Sequence, residues 1–304
     1  MRRATAVAVV AGSTVAAVTV GALARARLKG RGSQIPKPVT GIFPNGMAYA
    51  RWGTGPRTLL VIPGGPDNRV PSGMFLSTHL RAARLLVEDG YTASVVTRKR
   101  NMPQGYSIGD MADDYGQLIA DEFGGKVEAA LGLSTGGMIA CYLAARHPDR
   151  LGRIAIAVAG YVANGPRSGG DLAYARLLSE GRTGEAIAAM FTDVFPGWPR
   201  ASGRVLGALM APFVYRGAHP SFRSDTLVEA EAEMAFNARE ILPDISVPVL
   251  LIGGGEDQFF TREVVEDTAR LIPGCTLRIY ERKDHLGAVS DGRLPRDVFD
   301  SVSQ

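Results

Sequence analysis

The sequence predicts an α/β protein: a mostly parallel sheet covered by helices on both faces, interrupted once by an inserted helical segment. Three observations predict it. From about residue 47, short Val/Ile/Leu runs alternate with amphipathic stretches. Strands that are apolar on both faces suit a parallel sheet held between two helical layers. The alternation stops between 162 and 240, where only helical or irregular stretches occur, and resumes at Val247. Finally, the 304 residues are 46% hydrophobic and 21% charged. That is ordinary globular composition, excluding whole-chain disorder and fibrous repeats, and the chain is long enough to bury a large core.

The elements follow in order. Met47–Trp52 is expected as an edge strand, and Thr58–Ile62 as a buried strand ending at Pro63-Gly64-Gly65-Pro66. Phe75–Glu88 has helical spacing closed by Gly90, and Thr92–Thr97 is the next strand. Ile108–Phe123 is predicted helical, with Met111, Tyr115, Leu118 and Ile119 on one side. Val127–Leu133 and Ile154–Val158 are strands flanking a helix over Gly136–Arg146. After the interruption come a strand at Val247–Ile252, a helix at Thr261–Leu271, a strand at Thr276–Tyr280 and a terminal helix at Leu294–Val302. These divide the chain into a core over 46–161 and 241–304, with a helical lid over 162–240.

The N-terminus is different. Residues 4–24 carry no charge, and as a helix these 21 residues rise about 31 Å, roughly a bilayer core. Arg2 and Arg3 precede them and Ala22-Leu23-Ala24 resembles a cleavage site, so a signal peptide or an uncut N-terminal anchor is expected. Membrane contact through 4–24 and a secreted or membrane-anchored location follow; a cytoplasmic protein with an Ala-rich leader is the alternative. Residues 25–45, basic and rich in Gly and Pro, are expected to be a linker. Residues 1–33 hold six Lys/Arg and no acid; removing those six from the 34 bases leaves 28 against 30 acids, a net of −2. The folded part therefore has no basic excess for nucleic acid. Cys141 and Cys275 lie in no metal-ligand spacing, and both are expected to be small apolar residues.

Gly132-Leu133-Ser134-Thr135-Gly136 matches G-x-S-x-G between a predicted strand and a predicted helix. In that setting the serine occupies a strained turn at the top of the sheet, beside a helix N-terminus. A serine needs a base, and His285, after the last predicted strand, is the candidate. His79 lies in the first predicted helix, His147 beside Pro148 at a helix end, and His219 in the inserted segment. The orienting acid is expected where Val247–Ile252 ends, at Asp257, with Glu256 as runner-up and Asp284 discounted because it adjoins His285. Backbone oxyanion donors are expected at Thr135 and at Gly65 in the glycine-rich turn.

The segments IPGGPDN (62–68), GYSIGDMADDYGQLI (105–119), GLSTGG (132–137), PVLLIGGGEDQFF (248–260) and KDHLGAV (283–289) together resemble the α/β-hydrolase family. The resemblance covers roughly residues 47–300. It implies an eight-stranded, mostly parallel sheet, a lid after the sixth strand, and a triad carried by Ser134, His285 and Asp257, with Gly65 and Thr135 as oxyanion donors. Pro63 stands where members often carry His, and Asp284 where they often carry Gly; neither change removes a catalytic group.

The expected activity is a serine hydrolase of the esterase type, cleaving a small-molecule acyl substrate through an acyl-enzyme, with no cofactor or metal. Two alternatives are carried. One is a proline iminopeptidase-like aminopeptidase, suggested by the Gly-Gly-Pro turn, for which Glu229, Glu231 or Glu233 would anchor an amine. The other is a non-catalytic binding protein on the same fold. The three acids, spaced at every second position, are expected to form a solvated face. Met190, Phe191, Phe195, Trp198, Met210, Phe213, Tyr215, Met234 and Phe236 would give an apolar pocket if several faced the site, but more than half are expected only to pack the lid. Nothing in the sequence specifies an oligomeric state.

Overall fold

The computed structural model describes residues 37–65, 68–71, 73–194 and 200–303. The expectations for residues 4–24 fall outside these residues. Among the described residues, no helix is long and apolar enough to cross a membrane.

Eight strands form one sheet: β1 (Val39–Ile42), β2 (Ala48–Trp52), β3 (Arg57–Ile62), β4 (Tyr91–Val96), β5 (Val127–Leu133), β6 (Leu151–Ala157), β7 (Val249–Gly254) and β8 (Thr276–Tyr280), in the order β1-β2-β4-β3-β5-β6-β7-β8. β1 and β2 pair antiparallel, as do β2 and β4; every other pair is parallel. β1 corrects two expectations. The segment taken as a linker contributes a strand at its C-terminal end, and β2 is inside the sheet rather than at its edge. The four residues of β1 are mostly exposed, so they carry no apolar run to announce a strand.

Helix α1 (Gly73–Glu88) follows β3, α2 (Ile108–Glu122) follows β4, and α3 (Thr135–Arg146) follows β5. Between β6 and β7 lie α4 (Gly170–Ser179), α5 (Thr183–Val194), α6 (Arg200–Val214) and α7 (Phe222–Ala235), within the stretch where the strand rhythm stops. The chain ends with α8 (Arg262–Leu271), a short α9 (His285–Val289) that the spacing does not predict, and α10 (Leu294–Val302).

Strand alternation splits the core in two. Leu60 and Ile62 of β3 face Met111, Tyr115, Ile139 and Val265 from α2, α3 and α8. Leu59 and Val61 are equally buried on the opposite face, which α1 and α10 cover through Leu80, Leu86, Leu294 and Val298. Ser107 starts α2 with a reciprocal cap: the Asp110 N–H donates to Ser107 Oγ (3.1 Å), and the Ser107 N–H donates to Asp110 Oδ2 (2.8 Å). The helices between β6 and β7 have a small core of their own, including Tyr174, Leu178 and Phe222. Both cysteines are free thiols; burial pushes Cys141 up to about 12 and Cys275 up to about 11, so neither ionises near neutrality.

The sheet places the site. β4 lies on one side of β3 and β5 on the other, so the chain reverses its direction across the sheet there. Ligands of open α/β sheets bind at the carboxyl ends of strands beside such a reversal. α2 is tied to this region by Tyr115, whose fully buried hydroxyl donates to the Val96 carbonyl at 2.7 Å. Tyr115→Phe leaves that buried carbonyl without its side-chain donor and is expected to cost about 1 kcal/mol in urea unfolding, without altering the far-ultraviolet spectrum.

Candidate active site

Ser134 joins β5 to α3 with φ 54° and ψ −118°. For a residue with a Cβ this backbone is costly, on the order of 1–3 kcal/mol, and persists only where the surroundings over-determine it. Here they do. The Ser134 N–H donates to Ala157 O (3.0 Å), and Ser134 O accepts from the N–H groups of Gly137 (2.7 Å) and Met138 (3.1 Å). Gly136 explains why the motif needs glycine: a Cβ there would lie 2.0 Å from the Ile62 carbonyl oxygen. α3 thus starts against the end of β3, which sets Ser134 beside the Pro63–Gly65 turn.

Two further strand ends supply the base and the acid. His285 Nε2 lies 3.0 Å from Ser134 Oγ, and His285 Nδ1 lies 2.8 Å from Asp257 Oδ2. Asp257 follows β7, and its other oxygen accepts from the N–H groups of Phe259 (2.8 Å) and Phe260 (3.1 Å). The Asp257 side chain is fully buried. Phe259 and Phe260 flank the imidazole, with ring centroids 4.7 and 6.1 Å away. His285 opens α9, whose N-cap is Asp284: its carboxylate accepts from the Gly287 N–H at 2.7 Å and is committed there. Glu256 is exposed. The other histidines are placed elsewhere: His147 against Asp113 (2.8 Å), His219 against Asn68 (2.7 Å), and His79 within α1.

Gly65 has φ +79°, the left-handed region open to glycine, and its N–H donates to Thr135 Oγ1 at 3.2 Å. Thr135 is the first residue of α3, so its own N–H has no acceptor within the helix. The Thr135 hydroxyl in turn donates to Glu233 Oε1 at 2.6 Å.

That last contact overturns the expectation of a solvated acidic face. Glu231 is exposed, but Glu229 and Glu233 are buried, with Asp225 one turn before them. Asp225, Glu229 and Glu233 recur every fourth residue and share one side of α7. Counting by fours rather than by twos would have found them. Each meets a partner in the core. Asp225 accepts from Asn68 Nδ2 (2.8 Å) and the Met102 N–H (2.9 Å). Glu229 pairs with Arg98 at 2.6 Å, both side chains fully buried. Arg98 donates to the carbonyls of Pro63 (2.8 Å) and Gly65. Sequence reasoning missed Arg98, which sits in the basic run Arg98-Lys99-Arg100 and reads as a solvated patch.

Burial alone would lower the proton affinity of Arg98; the Glu229 carboxylate reverses this and holds the guanidinium charged. Glu233 goes the other way. Burial, then the nearby Asp171 carboxylate, raises its carboxyl well above the usual range, against the Thr135 hydrogen bond that lowers it. The apolar residues of α4–α7 divide. Phe236 is buried in the main core, while Met190 and Tyr215 pack against the insertion's own core. Met234 and Phe213 are exposed. Phe195 and Trp198, and the side chain of Phe191, lie outside the described residues.

Two outcomes follow. Glu229→Ala strands a buried guanidinium and is expected to cost about 3–5 kcal/mol in urea unfolding, whereas Glu231→Ala at its exposed neighbour stays within about 0.5 kcal/mol. For Glu233, the folded carboxyl keeps its proton to higher pH than the unfolded one. Its stabilising contribution is complete below the ordinary carboxylate range and is lost as pH rises through the raised value. Glu233→Gln, neutral throughout, should therefore melt higher than the parent at neutral pH, with the difference closing toward about pH 4.

A curated pimeloyl-[acyl-carrier protein] methyl ester esterase of Neisseria meningitidis serogroup A is 31% identical over 187 residues, which span 57% of this chain and 57% of the relative's own length. An esterase structure from Exiguobacterium antarcticum superposes with a TM-score of 0.64 at 20% identity, covering 88% of this chain and 100% of that one. A membrane phospholipase A, described as a bacterial virulence factor, superposes with a TM-score of 0.62 at 22% identity over 100% of both chains. At these identities the two structures speak for the fold alone. The family model described as "Alpha/beta hydrolase family" matches residues 59–294, nearly the whole span from β3 to α10. The chain belongs to the alpha/beta hydrolase family.

Proposed function

We propose that the protein hydrolyses a carboxylic ester through an acyl-enzyme on Ser134. The observation that carries this reading is the unbroken line Ser134 Oγ–His285–Asp257, with contacts of 3.0 and 2.8 Å. Ser134 Oγ attacks the acyl carbonyl as His285 Nε2 takes its proton. Asp257, held by two backbone N–H groups, fixes the imidazole tautomer and stabilises the imidazolium. The carbonyl oxygen becomes an oxyanion beside the N–H groups of Thr135 and Gly65. A charged oxygen is a stronger acceptor than the Thr135 hydroxyl that Gly65 meets at rest. Each such donor is worth about 3 kcal/mol in the transition state. The tetrahedral species expels the alcohol, which leaves with the proton from Nε2. Water then attacks the acyl-enzyme, giving its proton to Nε2 and releasing the acid and free Ser134. The curated relative named as a methyl ester esterase supports an ester substrate.

The buried acids weigh against the aminopeptidase alternative. An anchor for a substrate amine needs a carboxylate left for it; Glu229 is taken by Arg98, Glu231 is exposed, and Glu233 is bonded to Thr135. In this reading α4–α7 form a lid over the strand ends.

Ser134→Ala is expected to lower turnover of a short p-nitrophenyl ester by at least about 10⁴-fold with the melting temperature preserved. A fluorophosphonate probe should label the parent and not the variant; equal turnover, or a parent that resists the probe, would remove Ser134 from its role and favour a non-catalytic binding protein.

A further inference from the structure

Helix α6 points its apolar stripe outward. Val205, Leu209 and Phe213 are 65%, 66% and 76% exposed, and Ala208 and Pro212 between them are exposed too. These five residues follow the i, i+3, i+4, i+7, i+8 pattern of a helix face, which ordinarily marks the side turned to the core. The side turned to the core is instead the small-residue one. Gly207 and Ala211 are buried, and a Cβ on Gly207 would lie 2.1 Å from the Gly184 carbonyl oxygen in α5. α6 is thus fixed by close backbone contact and leaves its bulky side chains in water.

The segment that carries α6 is one-sided in charge. Between Asp193 and Asp225, residues 194–224 contain Arg200, Arg204, Arg216 and Arg223 and not one Asp or Glu. Arg216 and Arg223 are exposed. The remainder of the folded part is correspondingly acid-rich, since residues 34–304 carry a net charge of −2. An apolar helical stripe within an acid-free, arginine-bearing segment fits the boundary of an anionic bilayer, where the stripe enters the acyl region and the guanidinium groups meet phosphate. A two-fold contact with a second copy fits poorly, because the same patch on both subunits would bring arginine against arginine.

We infer that α6 docks the folded domain on an anionic lipid surface through Val205, Ala208, Leu209, Pro212 and Phe213. The inference rests neither on the uncharged segment 4–24 nor on the Ser134 reading. The domain would lie on the membrane through its inserted helices, not merely be tethered near it.

The test uses the full chain carrying Phe213→Cys and Cys275→Ser, with the new thiol labelled by the polarity-sensitive nitrobenzoxadiazole dye; Cys141 is buried. A second sample carries the dye on Arg270→Cys, an exposed position on α8. Vesicles of phosphatidylglycerol and phosphatidylcholine are compared with phosphatidylcholine alone. Docking predicts a blue shift and at least about a twofold rise in emission at 213 on the anionic vesicles, weakened by high salt, with no change at 270. The melting temperature of each labelled protein confirms folding, whether or not ester turnover is found. No response at 213 on either vesicle overturns the inference, as does an equal response on both. A dye already shifted before vesicles are added also overturns it. In that case a doubled mass in solution would identify a second copy as the occupant.

Discussion

One close approach governs the arrangement of this molecule: the start of α3 lies against the end of β3, with no room for a side chain on Gly136. This contact holds the turn at Ser134 in a backbone conformation that its own Cβ resists, and it does so where the sheet reverses its strand order. The carboxyl ends of β5, β7 and β8 then deliver a hydroxyl, a carboxylate and an imidazole to one place. None of the three is near the others in the chain. What the core contributes is registration: a one-residue slip would exchange the side chains packed against the two helical layers, so the strand ends stay where the pairing puts them.

The second constraint is polar. α7 directs Asp225, Glu229 and Glu233 inward, and each finds a donor. A buried ion pair such as Arg98–Glu229 is poor evidence of net stability, because desolvating two charges offsets much of their attraction. Its effect is positional. Arg98 holds the carbonyls of Pro63 and Gly65, so the two peptide groups that flank the Gly65 N–H are fixed from behind by a charge whose partner sits on the inserted segment. Thr135 connects the same turn to Glu233. The loop that faces the serine is therefore built jointly by the sheet and the insertion.

Much of this was legible in the residues. Apolar runs marked β3 to β7 because those strands are buried on both sides over most of their length, β8 alternates instead, and Gly132-Leu133-Ser134-Thr135-Gly136 stood at a strand-to-helix junction where its geometry has a reason. Asp257 and His285 could be chosen because each follows a strand. What escaped notice was whatever lacked a periodic apolar signal. β1 is short and mostly exposed. α9 spans only five residues, and its cap, Asp284, looked like a neighbour of the histidine. The acids of α7 fall on one face only around the helix, not along the chain. Arg98 was masked by the bases beside it, since nothing local tells a buried guanidinium from a solvated one; its partner is 131 positions away.

The anchoring of α7 bears on how a substrate gets in. A cover that swung away as one body would have to separate Glu229 from Arg98 and Glu233 from Thr135, releasing the Pro63–Gly65 turn that these contacts hold. α7 is consequently a floor rather than a door. The α5–α6 pair instead meets backbone to backbone at Gly184 and Gly207.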